Sequence, residues 1–431
     1  LFTSFGLAEK LKSNHHKIVY VCVPAHEDLV RSNGFEAEVI LENLFTDSGE
    51  STKERSAQKR PGVLESISHL RKQTRQFFEY IRSRQVDELM DDLSPDLLLV
   101  DSALPFFAMA AYRMRIRCVM ISVTLVEHDY DIPPLTSAII PDGSLRNRFL
   151  SRLSWCWVQL LGAISRNLLW VLGVETNYTR VLKKLAVQAD YPVERISTLT
   201  TLMPGTGMKE LILCPGEFDF PRELPENTSY IEACVREEED DGRFPTGWID
   251  SKRQLVFCYL GGQSANYAKH STTLQSVINA VGSRQDWQLV FSVGSGVDIK
   301  QINYHYTNVL VVNWAPYGRL LKQAALMINH GGLGSIKQCI YHGVPMVVLP
   351  LCRDQIGNGA RVVYHGLGAV QRGGNVTAKN IERMIEAVLS DDDCRQRVAV
   401  MGKRFREIER DERGLKRIER YLSMPPGDLV G

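Results

Sequence analysis

A series of short runs in this chain is almost uninterrupted apolar sequence: "KIVYVCVP", "PDLLLVDS", "CVMISVT", "QLVFCYLGG", "WQLVFSVG", "VLVVNWAP", "ALMIN" and "VPMVVLP". A strand with one wet face alternates apolar and polar residues, so a strand without alternation is buried on both faces. The segments between these runs carry helical spacing, and strands alternating with helices build a parallel sheet covered on both sides. The predicted class is therefore α/β, with doubly wound, Rossmann-like sheets.

The alternation occurs twice. A first series runs from Lys17 through "CVMISVT", with a polar stretch from Thr46 to Pro61 and one long amphipathic helix predicted over Val63 to Leu89. "REEEDDGRFPTG" (Arg236 to Gly247) is charged, carries Gly and Pro, and reads as a linker. The alternation then restarts at "QLVFCYLGG" and ends in a charged helical region, Lys379 to Tyr421. A length of 431 residues accommodates two such domains. The expected division is 1–230, a linker at 231–248, a second domain at 249–405 and a helical tail at 406–431, with the two domains facing a cleft.

The chain opens inside a helical pattern, with Leu1, Phe5, Ala8 and Leu11 on one face, before any strand. An α/β unit normally begins with a strand, so an element is expected upstream of Leu1. Fifty-one Lys and Arg against fifty Asp and Glu leave a net charge of +1, which argues against a counterion-releasing nucleic-acid binder. The nine cysteines include no CxxC pair and mostly sit in apolar runs, which reads as reduced thiols in a cytoplasmic protein. Leu153 to Gly173, "LSWCWVQLLGAISRNLLWVLG", is the most hydrophobic stretch, but Arg166 and Asn167 interrupt it before it reaches the length of a bilayer span. A buried or cleft-lining helix is expected there. The alternative is peripheral membrane contact, with Trp155, Trp157 and Trp170 as interfacial anchors.

The densest chemistry lies in "NHGGLGSIKQCIYHGVPMVVLPLCRDQIGNG", Asn329 to Gly359. A buried strand runs into a glycine turn that opens a helix closed by Gly343 at its C-cap. Free N–H groups and the positive end of the helix dipole make such a turn a site for phosphate oxygens. His330 and Ser335 add donors, while Gly331, Gly332 and Gly334 let the backbone approach closely. The following strand delivers Asp354 and Gln355 beyond its carboxyl end, where open α/β sheets bind ligands. A carboxylate beside an amide suits the vicinal hydroxyls of a sugar. Trp314 stands at the corresponding edge one strand earlier, able to stack on a flat heterocycle. A base reader, a phosphate turn and a sugar reader at successive strand ends point to a nucleotide sugar.

The segment "NWAPYGRLLKQAALMINHGGLGSIKQCIYHGVPMVVLPLCRDQIGNGARVV" resembles the donor-binding signature of the UDP-glycosyltransferase family, with spacing intact over about fifty residues. Weaker similarity includes "PDLLLVDS", "IPPLTS", "EFDFP" and "LVFCYLGG", and is closest to soluble bacterial members. The resemblance implies the GT-B fold and an inverting transfer of a hexose from a UDP-sugar to a small lipophilic acceptor. Trp314 would stack on uracil, and Ala315 would give it backbone hydrogen bonds. His330, Gly334 and Ser335 would hold the diphosphate, with Gly262 and Ser264 approaching from the facing loop. Asp354 and Gln355 would read the sugar. Gln338 stands where the family usually carries a Glu on the ribose hydroxyls, and Tyr317 where plant members often carry Gln. Both leave uridine and thymidine open as the base.

The family's base is a histidine just after the first strand, oriented by an acid on a later strand. The resemblance assigns the acid to Asp101 and places the histidine immediately before Leu1. Taken by itself, Asp101 could instead cap the helix "ALPFFAMAAY". His26 follows "KIVYVCVP" but does not match the family position, and His15 and His16 lie at the opposite strand end. "DYD" (Asp129 to Asp131) matches a metal-binding DxD, yet it lies in the acceptor half and reads as an acidic loop. No cofactor and no metal are expected. A lipophilic acceptor is expected at "VEHDYDIPPLTSAIIP" and the Trp-rich helix after it. Two alternatives stand beside this reading: a non-catalytic nucleotide-sugar-binding partner, and a nucleotide-sugar epimerase, which the apolar "IPPLTS" loop argues against.

Overall fold

The computed structural model describes residues 2–41, 62–201, 203–236, 242, 244–261, 267–294, 297–373 and 376–425. Three parallel sheets organise them. The first half opens with helix α1 (Phe2–Ser13), strand β1 (Val19–Cys22), helix α2 (Pro24–Ser32) and strand β2 (Glu36–Val39). β1 and β2 pair as a separate two-stranded sheet. Phe5, Tyr20 and Phe35 pack ring against ring beneath it.

The region predicted as one helix over 63–89 is two, α3 (Val63–Arg82) and α4 (Gln85–Leu93). Ser83 takes an extended conformation between them and its hydroxyl donates to the Tyr80 carbonyl, so a local side-chain bond replaces the helical ladder there. Strand β3 (Leu98–Asp101), helix α5 (Phe106–Arg113), strand β4 (Cys118–Ser122), helices α6 (Leu145–Val171) and α7 (Tyr178–Gln188), and strands β5 (Glu210–Ile212) and β6 (Thr228–Tyr230) complete this half. Its sheet has the order β3-β4-β5-β6.

Helix α6 is not the buried element its apolar sequence suggests. Only Ser151 and Trp155 are buried in its 27 residues. Trp157 and Trp170 are 60% and 58% exposed.

The second half carries β7 (Gln254–Tyr259), α8 (Tyr267–Gly282), β8 (Trp287–Ser292), β9 (Val309–Val312), α9 (Tyr317–Leu321), β10 (Leu326–Asn329), α10 (Leu333–His342), β11 (Met346–Val348), α11 (Gln355–Tyr364) and β12 (Gly368–Val370). The strand order is β12-β11-β10-β7-β8-β9. Every residue of β8, β10 and β11 is buried, which is why these strands read without alternation. The order reverses between β7 and β10, and the crevice beyond the carboxyl ends of such a pair is where doubly wound sheets take ligands.

Helices α12 (Ala378–Leu389), α13 (Asp392–Asp411) and α14 (Arg413–Leu422) follow. The last returns to the first half: Leu415, Ile418 and Tyr421 pack with Leu7, Leu11, Val119 and Leu211. The segment after β6, read from sequence as linker, is buried from Ile231 to Cys234. The rest of that charged stretch, residues 237–241 and 243, lies outside the described residues, as does the polar stretch 46–61.

Candidate functional site

Asn329 ends β10 at the switch point and is fully buried. Its Oδ1 accepts from the Gly331 N–H at 2.8 Å, turning the chain out of the strand. Gly331 has φ +88, and a Cβ there would lie 2.8 Å from the Gln355 carbonyl oxygen. Only glycine fits this turn. Gly332 is the N-cap of α10 with no side chain capping it, so the first-turn N–H groups and the positive dipole end face the crevice uncapped.

His330 sits in a notch between two glycines: a Cβ on Gly261 would meet its ring at 3.2 Å, and one on Gly332 would meet Nε2 at 2.5 Å. Burial pushes its pKa down to about 4, against a hydrogen bond to the Tyr259 backbone that raises it. The imidazole is therefore neutral at pH 7 in this state, its one N–H is taken by the Tyr259 backbone, and the helix end supplies the positive potential. Its Nδ1 is buried without a hydrogen-bond partner. The Gln338 Oε1, two turns into α10, is likewise buried and unpartnered. Ser335 is buried and bonded to the Tyr317 hydroxyl, which orients it.

Asp354 is the N-cap residue of α11. Burial raises its pKa, and the hydrogen bond from Asn358 opposes the shift. Gln355 Oε1 accepts from the N–H groups of Leu351 at 2.8 Å and Cys352 at 3.0 Å, so its carbonyl braces its own loop. Its amide NH2 is the group left for a ligand. Asn358, fully buried, donates from Nδ2 to the Gly331 carbonyl at 3.0 Å and to Asp354 Oδ2 at 2.9 Å. One side chain thus ties the glycine turn to the Asp354 carboxylate. Trp314 is half-buried at the end of β9, with Ala315 buried beside it. Asn313 fixes that edge, donating to the carbonyls of Gly294 and Val297 at 2.7 Å each. Gly262 and Ser264 lie outside the described residues.

The first half reaches this crevice at several points. Thr3 Cγ2 lies 3.1 Å from where a Cβ on Gly334 would sit, so the start of α1 stands over the first turn of α10. The Gly357 N–H donates to the Leu135 carbonyl at 2.7 Å, docking the "IPPLTS" loop on α11. Ile132, Pro133, Pro134 and Leu135 are buried, so this part of the loop packs between the halves. Lys337, 2% exposed, donates across to the Leu213 carbonyl.

A buried ion cluster makes the strongest join. Arg361 of α11 places Nε 2.6 Å from Asp219 Oδ1, both side chains 1% exposed. Asp219 also pairs with Arg222 at 3.0 Å and accepts from the Tyr230 hydroxyl. The Arg361 guanidinium lies 4.2 Å from the Phe220 ring centroid. Burial alone would raise the Asp219 pKa, but Arg361 and Arg222 hold it below the usual carboxylate range.

Asp101 ends β3 and accepts from the Ala103 N–H at 2.9 Å, while Pro105 is the N-cap residue of α5, so the helix-cap alternative fails. His26 lies on α2, exposed. In "DYD", Asp129 accepts from the Asp131 N–H at 2.8 Å and Asp131 pairs with Arg152 at 2.8 Å.

Sequence reasoning missed Asn329, Asn358, Lys337 and the Asp219–Arg361 pair. Asn358 carried a usable signal, since it follows Asp354 by four positions on a helix. The pair spans 142 positions and carried none.

Comparison with known proteins follows the same lines. A family model described as "UDP-glucoronosyl and UDP-glucosyl transferase" matches residues 16–411. UDP-glycosyltransferase 2 of Phaeomoniella chlamydospora is 26% identical over 282 residues, 64% of this chain and 59% of that protein. NDP-glycosyltransferase YjiC of Bacillus subtilis (strain 168) is 32% identical over 136 residues, 32% of this chain and 35% of that protein. The chain thus spans between about a third and three fifths of the length of these two curated relatives. The glycotransferase of kitacinnamycin superposes with TM-score 0.67 at 20% identity, covering 98% of this chain and 95% of that one. Glycosyltransferase VinC, solved with DTDP, gives 0.63 at 16%, covering 98% and 96%. These likenesses show the two-lobed GT-B fold. With the family model spanning most of its length, the chain belongs to the UDP-glucoronosyl and UDP-glucosyl transferase family.

Proposed function

We propose that this protein transfers a hexose from a UDP-sugar to a hydroxyl of a small lipophilic acceptor, with inversion and without a metal. The observation that carries the reading is the Asn358 bridge, which holds an uncapped helix N-terminus and a buried carboxylate in one rigid unit. The diphosphate lies on the α10 turn, taking the N–H groups of the helix start, with His330 packed beside it. Gln338 Oε1 accepts from the ribose, Trp314 stacks on the base, and Asp354 with the Gln355 amide reads the sugar hydroxyls.

In the transfer step the acceptor oxygen attacks the anomeric carbon from the face opposite the diphosphate. The bond from that carbon to the β-phosphate oxygen breaks, UDP departs, and a base takes the hydroxyl proton. The helix dipole and the donors on the turn stabilise the charge that develops on the leaving diphosphate. Asp101 is a positioning residue that would orient a histidine base.

The test is UDP release from UDP-glucose and UDP-galactose, with and without a phenolic or sterol acceptor. Acceptor-dependent release, depressed by Asp101→Asn with UDP affinity unchanged, supports transfer. UDP binding without release, with any acceptor supplied, leaves the non-catalytic binding partner as the correct reading. Gln338, in the place of the family's usual Glu, favours keeping that second reading in the test.

A further inference from the structure

The stretch that joins the two halves is buried where it leaves β6, and one of its residues is strained. Cys234 is 4% exposed and holds φ +53, a left-handed conformation that penalises any residue with a Cβ. Its N–H donates to Glu409 Oε2 of α13 at 3.0 Å. Helix α1 lies directly against it: a Cβ on Gly6 would sit 2.4 Å from the Cys234 carbonyl oxygen. Two positions earlier Glu232, fully buried, accepts at Oε2 from the Gly414 N–H of α14 at 2.7 Å. The connection therefore touches α1, α13 and α14 within three residues.

Lys10 of α1 closes this arrangement. Its Nζ lies 2.7 Å from Glu409 Oε1, 3.2 Å from Glu232 Oε1 and 3.2 Å from the Glu409 carbonyl oxygen. Burial works against the charge on Lys10, and Glu409 and Glu232 outweigh it, so its pKa is raised. Lys337, buried on α10, adds a second cation whose charge acts on Glu409 and on Cys234. Glu9 pairs with Arg236 at 2.6 Å beside this cluster, a partly exposed contact that adds little. The same two helices, α1 and α10, meet again at their first turns, where Thr3 Cγ2 stands 3.1 Å from a Cβ placed on Gly334. Lys10 is about 10 Å along α1 from that contact, and Lys337 about 4.5 Å along α10.

We propose that Lys10, Glu232, Glu409 and Lys337 form a latch at the hinge, which sets how closely the first turn of α1 stands over the first turn of α10. The two helices belong to opposite halves, and each brings one lysine to the carboxylates at the connection between them. A buried charge is tolerated only while it is paired, so the cluster favours the arrangement of connection, α1, α10 and α13 in which all four meet. Loss of one charge leaves its partners buried and unanswered. Rotation about the strained Cys234 relieves that by carrying α1 away from α10. With the α10 turn read as the donor site, on which this step rests, Lys10 and Glu409 are positioning residues: they place the acceptor half over the bound sugar without touching it.

The test is a disulfide trap in the full chain. Thr3→Cys with Gly334→Cys brings two sulfurs within bonding reach, oxidised glutathione supplies the oxidant, and the link between positions 3 and 334 is read by mass. With the latch intact the link should form readily, and at least about tenfold more slowly with Lys10→Met or Glu409→Gln added. Lys10→Arg keeps the charge and should keep the rate. Val181→Ala, in a core cluster of the first half that none of the latch residues joins, should lower the urea midpoint and leave the rate unchanged, which separates positioning from stability. Without the two added cysteines, Lys10→Met should lower acceptor-dependent UDP release at least about tenfold, with UDP affinity at the parent value. An unchanged linking rate in both Lys10→Met and Glu409→Gln, or an equal slowing by Val181→Ala, would overturn the latch. Absence of UDP release from the parent itself would count against transfer alone, and the linking rates would still decide the latch.

Discussion

Removing the guanidinium of Arg361 tests how the two halves are joined behind the donor crevice. Arg361 and Asp219 are each 1% exposed and 2.6 Å apart, so Arg361→Met leaves a carboxylate in a site sealed from water. Breaking a buried ion pair from one side costs roughly 3–5 kcal/mol. Asp219 keeps Arg222 and the Tyr230 hydroxyl, which places the expected loss near the lower end, about 3 kcal/mol. Asp219→Asn strands two arginines instead of one carboxylate and should cost more.

The assay is urea unfolding of both single variants and the double, read as a cycle. The double variant should lose clearly less than the sum of the singles. The pH dependence has a defined sign. The folded pKa of Asp219 is depressed, so its contribution is present above the unfolded value of about 3.9 and is lost as pH falls through the folded one. The gap between parent and Asp219→Asn should therefore narrow below about pH 4. A loss under about 1 kcal/mol for Arg361→Met, or strict additivity in the cycle, would refute the pin.

Three further outcomes are expected. Gly331→Ala puts a Cβ 2.8 Å from the Gln355 carbonyl at φ +88, so it should destabilise the chain by at least about 1–3 kcal/mol and weaken UDP binding, measured by urea unfolding and titration. His330 folds with its pKa lowered to about 4, so the parent should lose up to about 3 kcal/mol as pH falls from about 6.5 towards that value. His330→Gln should show a shallower loss over the same window. Gln338→Glu turns a neutral acceptor into a charged one at the proposed ribose site, which should tighten UDP by about fivefold in calorimetry, from about 1 kcal/mol of charge assistance.

What sequence could reveal here follows the range of the interactions. The parallel sheets were legible because β8, β10 and β11 are buried along their whole length, and burial writes itself as uninterrupted apolar residues. The glycine turn from β10 into α10 was legible because glycine, histidine and helix start are contiguous between Asn329 and Ser335. Helix α6 was misjudged because apolar composition reports a preference for burial and not the supply of something to bury against. The single helix over 63–89 failed on a local choice at Ser83, where amphipathic spacing continues but the backbone does not. The protonation state of His330 depends on the Gly261 and Gly332 walls around it, and no local pattern encodes that enclosure. Asp219 and Arg361 meet only after both halves have folded.

The proposed function requires the α10 turn and its neighbours to form one nucleotide-sugar cradle. Calorimetric titration of UDP into the parent, Trp314→Ala and His330→Ala measures it most directly. Saturable heat is expected with the parent, and an affinity reduced about tenfold or more in each variant, from the loss of one stacked ring or one buried imidazole. No heat with the parent, or variants that bind UDP as the parent does, would contradict it.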